Sequence, residues 1–237
     1  KDEKGKVIIN FKDNNLHVLN YSKKISKWHY IKDIKENIFF LKKNPDAIPY
    51  VTSYYKKRWG FCMTYNQYKK LDTSKKYFFH IDSFFKKGFL NYGEILIPGK
   101  SKKEILLSTY ICHPSMANNE LSGPAVLTYL TNWIAKKKKK LSYRIIFIPE
   151  TIGSITYLSK NFNTLKKKCI GGFVFTCLGD DGDFSVIKSK YNRSFIDFAS
   201  EFVLNKKKIP HKIHSYLERG SDERQFCPQG INLNFNT

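Results

Sequence analysis

The chain has 237 residues, of which 41% are hydrophobic and 16% aromatic. This is enough apolar side chain to fill one sizeable core, or a core with a smaller satellite domain, and it excludes an intrinsically disordered chain. No apolar run approaches the roughly 20 residues that a membrane span needs, so we expect none.

The net charge of +22 raises the question of nucleic-acid binding. Only five of the 42 basic residues are arginine. Arginine makes bidentate contacts with bases and phosphates better than lysine does, so this composition does not favour specific nucleic-acid binding. The one dense lysine run, residues 136–140, falls where a helix is expected to end and where cations stabilise the helix dipole. We therefore expect no specific nucleic-acid partner, while a polyanion-binding module stays open as an alternative.

The five cysteines are an odd number without a CxxC pair, and several lie in apolar, strand-like runs. This pattern favours buried, reduced thiols over disulfides or a cysteine zinc site. A charged start followed by an apolar stretch and a small-residue cleavage site is not found. We expect a cytoplasmic protein without a targeting segment.

Residues 1–93 predict a small β-rich domain. Short alternating apolar stretches, separated by turn signals, lie at residues 7–9, 16–19, 38–40, 50–52 and 78–81. Short helices are expected at residues 31–37 and 66–71. The aromatic block at residues 54–62 is expected to pack in the core of this domain rather than to stack on a ligand.

Residues 94–237 predict an α/β domain. Strand-like and helix-like segments alternate, with strands at 94–97, 104–112, 143–148 and 171–177 and helices from about 121, at 153–160 and at 195–204. Such alternation is typical of a mostly parallel sheet covered by helices on both faces.

Two of the predicted strands end in polar side chains. His113 follows the strand at residues 104–112, and Glu150 follows the next strand, at residues 143–148. A right-handed crossover would make these strands parallel and close, and ligands of open α/β sheets bind beyond the carboxyl ends of the strands. At that edge His113 could hold a metal ion and Glu150 could take a proton from a metal-bound water.

Two further polar stretches supply candidates. Asn119 precedes a predicted helix, where it either caps the helix or faces the site. Asp222, Glu223 and Arg224 are consecutive, and they either line the site or form only a salt-bridged turn. The other five histidines show no ligand spacing such as HExxH.

Three motifs resemble a bacterial aminopeptidase-like family: STYICHPSMANNELSGP at residues 108–124, PETIGSI at 149–155 and GSDERQFC at 220–227. That family is often encoded among polysaccharide-biosynthesis genes and is distantly related to zinc-dependent leucyl aminopeptidases and glutaminyl cyclases. Residues 45–62 resemble its small β-rich inserted domain. The resemblance implies a zinc-aminopeptidase-like α/β fold, here incomplete at both ends.

The resemblance also assigns positions in the site. It implies that His113 stands at the first zinc-binding histidine and Glu150 at the catalytic glutamate. Asn119 stands in place of a metal-bridging aspartate, Thr151 in place of a liganding glutamate and Thr176 in place of a liganding aspartate. Because amide and hydroxyl oxygens bind zinc more weakly than carboxylates do, we do not expect a two-zinc centre.

We therefore expect one zinc ion, held by His113, Asn119 and Asp222, with Glu150 as the catalytic base. The residues expected to line the site and bind substrate are Asp180, Glu223 and Arg224. A rearranged ligand set that uses Asp180, and a site without metal, both stay open.

Together these features predict a zinc-dependent hydrolase that acts on a peptide or amide-type bond in a small peptide-like or amino-sugar substrate. Its link to cell-surface polysaccharide biosynthesis rests on the gene context of the family. The alternative is a non-catalytic binding or scaffold protein that kept the fold without its metal centre, since a fold does not imply a function. Metal content distinguishes the two; the oligomeric state is not indicated.

Overall fold

The computed structural model describes residues 1–113, 116–218 and 220–237. The chain divides into two compact units, Lys1–Gly88 and Phe89–Thr237. The boundary between the units lies a few residues before residue 93, at which the sequence pattern predicts the boundary. The placement of the first unit as an inserted domain stays a prediction.

The first unit consists of short elements joined by long irregular segments. They are a 3-10 turn at Asn15–His17, β1 at Ile25–Tyr30, a 3-10 segment at Ile31–Asn37, β2 at Ile38–Phe39, β3 at Phe61–Cys62, α1 at Tyr65–Lys69 and β4 at Lys76–Ile81. Strand β1 pairs antiparallel with β4, and β2 pairs parallel with β3. Helix α1 begins at a capping box in which Thr64 and Gln67 bond each other's backbone N–H groups.

Only part of the predicted strand pattern of this unit is correct. The strands expected at residues 38–40 and 78–81 and the helical segments at 31–37 and 66–71 are confirmed approximately. The strands expected at residues 7–9, 16–19 and 50–52 are wrong, since Val18 and Thr52 form only isolated bridges. The apolar side chains at these positions pack on the core from segments that are not paired as strands; they are Ile8, Ile9 and Val18.

The second unit alternates strands and helices. Its elements are β5 at Gly93–Ile97, β6 at Glu104–Tyr110, a π-helical turn at Ala117–Leu121, α2 at Ser122–Ala135, β7 at Ser142–Ile148, α3 at Ile152–Lys168, β8 at Cys169–Val174, β9 at Phe184–Ile187, α4 at Phe195–Lys206, β10 at His211–His214, α5 at Glu223–Phe226 and β11 at Phe235–Asn236.

A mixed sheet forms the centre of this unit, with the strand order β11-β8-β6-β7-β5 among the described residues. The β11–β8, β8–β6 and β6–β7 pairings are parallel, and β5 is antiparallel to β7. This confirms an α/β fold with a mostly parallel sheet. Strands β9 and β10 form a separate parallel pair.

Strand β6 is buried along its whole length because helices cover both faces of the sheet. Leu106 and Tyr110 lie in one apolar cluster together with residues of α3 and α5. Ile105 and Leu107 lie in a second cluster together with residues of α2 and α4. Successive side chains of a strand point to opposite faces, and both faces of β6 are covered, so apolar residues follow one another at residues 105–107.

Helix α3 continues to Lys168, well beyond the predicted end at residue 160. Leu165 is fully buried and continues the face that carries Tyr157 and Leu158, so its packing extends the helix. Three lysines in the last turn interact favourably with the helix dipole. Across the described part of the chain, no helix is both long and apolar enough to cross a membrane.

A buried arginine ties three neighbouring strands together. Arg144 of β7 donates from Nε to Glu104 Oε1 of β6 at 2.9 Å and from Nη2 to Glu104 Oε2 at 3.2 Å. It also pairs with Glu94 of β5. Bidentate pairs of this kind fix geometry strongly, and loss of one partner leaves a buried charge uncompensated. The pair therefore helps to fix the register of the strands whose carboxyl ends carry the site.

Candidate functional site

His113 lies three residues after the end of β6, between two carboxylates. Its Nδ1 bonds the carboxylate of Glu120, and its Nε2 lies 3.5 Å from Oε2 of Glu150, which follows the neighbouring strand β7. A carboxylate bonded to one ring nitrogen of a histidine holds the proton there, and the other nitrogen can then bind a metal or accept a proton. The structure thus brings His113 and Glu150 together, as their positions at two strand ends predict.

Glu120 is almost fully buried in the π-helical turn ahead of α2. Its Oε2 also accepts a hydrogen bond from the backbone N–H of Cys112 at 2.7 Å. Single π-helical turns are frequent at functional sites, and here the turn aims an acid at His113. Sequence reasoning missed Glu120, because its one signal is an acid ahead of an apolar helix, which is common at helix starts.

Asn119 takes part in a hydrogen-bonded network instead of capping α2. Helix α2 begins after Leu121 without a side-chain cap, so the N-cap interpretation of Asn119 is wrong. The Asn119 amide donates to Tyr110 Oη at 3.3 Å and lies 3.6 Å from Cys177 Sγ. Thr176 Oγ1 donates to the Asn119 carbonyl at 3.1 Å and bonds the Tyr110 hydroxyl. A role for Asn119 as a metal ligand stays a prediction.

Glu150 is oriented by a strained turn and by a serine. Thr151 has a φ of 59°, which is uncommon for a β-branched residue, and strained backbone of this kind clusters at functional sites. Ser221 Oγ donates to Glu150 Oε1 at 2.6 Å. One carboxylate oxygen of Glu150 is therefore held by Ser221, and the other faces His113.

Asp222 is fully buried behind this turn. Its Oδ1 accepts from the Thr151 N–H at 2.8 Å and from Ser154 Oγ at 2.9 Å, whereas its Oδ2 has no hydrogen-bond partner among the described residues. Burial raises the pKa of Asp222 to about 7, and the charges of Glu150 and Glu223 raise it as well, against the two hydrogen bonds. The carboxyl group therefore titrates near neutral pH, and its role as a metal ligand stays a prediction.

Cys112 lies in the same cluster. Its Sγ, a ring nitrogen of His113 and a carboxylate oxygen of Glu150 lie within 4.8 Å of one another, a grouping that could hold a metal ion. The sulfur is 3.2 Å from His113 Nδ1 and accepts the Glu150 N–H at 3.1 Å. The expectation of a buried thiol is wrong for Cys112, which is exposed at the end of β6.

The Cys112 thiol is not set up as a nucleophile. Partial burial of the sulfur raises its pKa to about 12, and the charges of Glu120, Glu150 and Asp222 also raise it, against the hydrogen bond from the Glu150 N–H. Reactive cysteines instead lie in electropositive surroundings that lower their pKa. The thiol is therefore protonated at neutral pH in the metal-free protein.

These residues fit one zinc ion. Thiol and imidazole are among the donor types that zinc takes in proteins, and Cys112 and His113 supply one of each beside Glu150. Asp222 Oδ2, which has no hydrogen-bond partner among the described residues, is a further buried carboxyl oxygen behind the turn at Thr151. At two positions where the resemblance implies carboxylate ligands the chain has Asn119 and Thr176, and the Thr176 hydroxyl donates to the backbone carbonyl of Asn119.

Asp180 lies on the exposed segment after β8. Its Oδ2 accepts from Asn118 Nδ2 at 2.6 Å, and its Oδ1 accepts from the Gly182 N–H at 2.9 Å. Asn118 belongs to the π-helical turn that carries Glu120. Asp180 thus connects its segment to the turn at the site, and its role in substrate binding stays a prediction.

Glu223 and Arg224 support the segment that orients Glu150. Glu223 is fully buried, and its Oε1 accepts from the Ser221 N–H at 2.9 Å. Arg224 donates to the carbonyls of Tyr216 and Leu217 at 3.2 and 3.1 Å. The contacts of both side chains hold backbone in place, and their predicted contact with substrate is untested.

Comparisons with known proteins place this geometry in a family. The family model described as "Domain of unknown function (DUF4910)" matches residues 8–237. A relative from Clostridium acetobutylicum, named "Putative polysaccharide biosynthesis protein with aminopeptidase-like domain", is 44% identical over 233 residues, which are 98% of this chain and 53% of the relative. The chain thus spans about half the length of this curated relative.

Solved structures agree with this result. A crystal structure of a "putative peptidase" from Clostridium acetobutylicum matches with a TM-score of 0.95 and 43% identity, over 100% of this chain and 56% of that one. BSAP, a zinc aminopeptidase from Bacillus subtilis, matches with a TM-score of 0.61 and 14% identity, over 84% and 52%. A glutaminyl cyclase from an Acidobacteriales bacterium matches with a TM-score of 0.51 and 16% identity, over 62% and 57%. The last two show the shared fold alone, and together the matches confirm the aminopeptidase-like resemblance.

Proposed function

We propose that this chain, which belongs to the DUF4910 family, is a zinc-dependent hydrolase of peptide or amide-type bonds. The observation that carries the proposal is the position of His113, with Glu120 on Nδ1 and Glu150 facing Nε2 at the carboxyl ends of parallel strands. The aminopeptidase-like name of the curated relative supports the reaction class.

His113 and Glu150 divide the work in this proposal. His113 would hold the ion through Nε2, since Glu120 engages Nδ1. When bound, the ion would polarise a scissile carbonyl and lower the pKa of water. Glu150 can take a proton at Oε2, because Ser221 holds Oε1, and can give that proton to the leaving amine.

The substrate and the location are part of the proposal. A small peptide-like or amino-sugar amide fits the reaction class, and the curated relative's name supports a link to polysaccharide biosynthesis. The cysteines that the structure describes are all free, which suits a reducing, cytoplasmic compartment.

Glu150→Gln tests the proposal. The amide cannot take a proton, so we expect the variant to keep zinc and to lose at least about 100-fold in kcat, the lower range for general-base catalysis. The assay uses aminoacyl amides, dipeptides and N-acylated amino sugars at saturating zinc, with the exposed Glu36→Gln as the matched control. Hydrolysis at the wild-type rate by Glu150→Gln, or loss of its zinc, contradicts the role of Glu150 as base.

A binding or scaffold protein without a metal centre is the second candidate. It is favoured by the network of Asn119, Thr176 and Tyr110, which stands where the resemblance implies carboxylate ligands. This candidate predicts that the folded chain binds no zinc at near-stoichiometric level and hydrolyses none of the substrates above.

A further inference from the structure

The proposed function leaves Cys112 without a role, although its sulfur lies in the group of donor atoms at His113. Sγ lies 3.2 Å from His113 Nδ1 and within 4.8 Å of a Glu150 carboxylate oxygen. It also accepts the backbone N–H of Glu150 at 3.1 Å. Outer hydrogen bonds of this kind orient metal ligands, and the residue is exposed, so an ion can reach the sulfur.

We propose that Cys112 is a metal ligand, binding as a thiolate beside His113 in place of the carboxylates that the resemblance implies at positions 119 and 176. The proposal rests on the proposed function, because it requires an ion at the same site. Thiolate is among the strongest protein ligands of zinc, with a bond of about 2.3 Å. On binding, the S–H bond breaks, the proton passes to solvent and a sulfur–metal bond forms, with no change of oxidation state.

A thiolate ligand also determines which ions this site takes. Soft sulfur favours zinc, cobalt or cadmium, whereas a site built only of carboxylates and amides suits magnesium, calcium or manganese. The site therefore selects zinc-like ions through a sulfur ligand. The resemblance implies a ligand set rich in carboxylates, which does not use sulfur.

Cobalt(II) titration of the full chain tests the assignment. We expect the wild type to show visible d–d bands together with an intense near-ultraviolet band from thiolate-to-cobalt charge transfer. Cys112→Ser should lose the near-ultraviolet band and bind zinc at least about 100-fold more weakly, because removal of an outer partner alone costs about 10- to 100-fold. Cys169→Ser is the matched control, since Cys169 begins β8 at the opposite end of the parallel strands and should keep the band.

The outcomes separate the two proposals. Visible bands without the charge-transfer band in the wild type overturn the role of Cys112 and leave the proposed function standing. A folded wild type that binds neither cobalt nor zinc overturns both. The wild-type spectrum needs no substitution, so absence of the charge-transfer band overturns the inference even if Cys112→Ser fails to fold. Loss of the band in Cys169→Ser would assign the sulfur ligand elsewhere and overturn the inference.

Discussion

Asp222→Asn is expected to raise the stability of the metal-free protein relative to the wild type. This gain should be larger at pH 8 than at pH 5. Burial raises the pKa of Asp222 from 3.8 to about 7 in the folded protein. The folded state therefore holds an extra proton between these values, and the wild type loses stability as the pH rises through that window. Asparagine resembles the protonated acid and keeps an oxygen that can accept from Thr151 and Ser154.

The magnitude follows from the shift. At about 1.4 kcal/mol per pKa unit, the whole shift corresponds to about 4 kcal/mol, of which about 2–3 kcal/mol falls between pH 5 and pH 8. The free energy of unfolding is measured by denaturant titration at both pH values with a chelator present. The difference between Asp222→Asn and the wild type should widen by that amount at pH 8, whereas Asp13→Asn, at an exposed aspartate, should show no such change. A difference that is equal at both pH values, or that narrows at pH 8, refutes the reasoning.

Two further substitutions test the support of the site. Glu120→Gln should weaken zinc binding about 10- to 100-fold with little loss of fold, because Glu120 orients His113 through its Nδ1 atom. Competition with a chromogenic chelator measures the zinc affinity, and an unchanged affinity contradicts this role. Arg144→Met should lower the free energy of unfolding by about 3–5 kcal/mol, because it leaves Glu104 buried without its partner. Denaturant unfolding measures this free energy, and a loss below about 1 kcal/mol contradicts the prediction.

The sheet of the second unit could be predicted because its longer strands are encoded locally. Strands β6 and β7 contain apolar runs at residues 105–107 and 145–148 that pack on both faces of the sheet, and the helical spacing of α2 lies between them. Elements of two to four residues, such as β9, β10 and β11, were not predicted, because so short a run carries no period of its own. Their pairing depends on the rest of the fold.

The same distinction applies to the site. His113 and Glu150 could be predicted because chain order alone places the ends of two parallel strands at one edge. Glu120 could not, since its approach to His113 depends on a π-helical turn, and Cys112 could not, since it ends an apolar run that indicates a buried thiol. The orientation of Glu150 by Ser221 joins residues far apart in the chain, and no local pattern indicates it.

The most direct test of the account is the zinc content per chain of the wild type and of His113→Ala, after reconstitution and removal of loosely bound metal. We predict close to one zinc ion per wild-type chain and loss of that ion in the variant, with both proteins folded by circular dichroism. A folded wild type without zinc, or equal zinc in His113→Ala, would contradict a metal site built on His113.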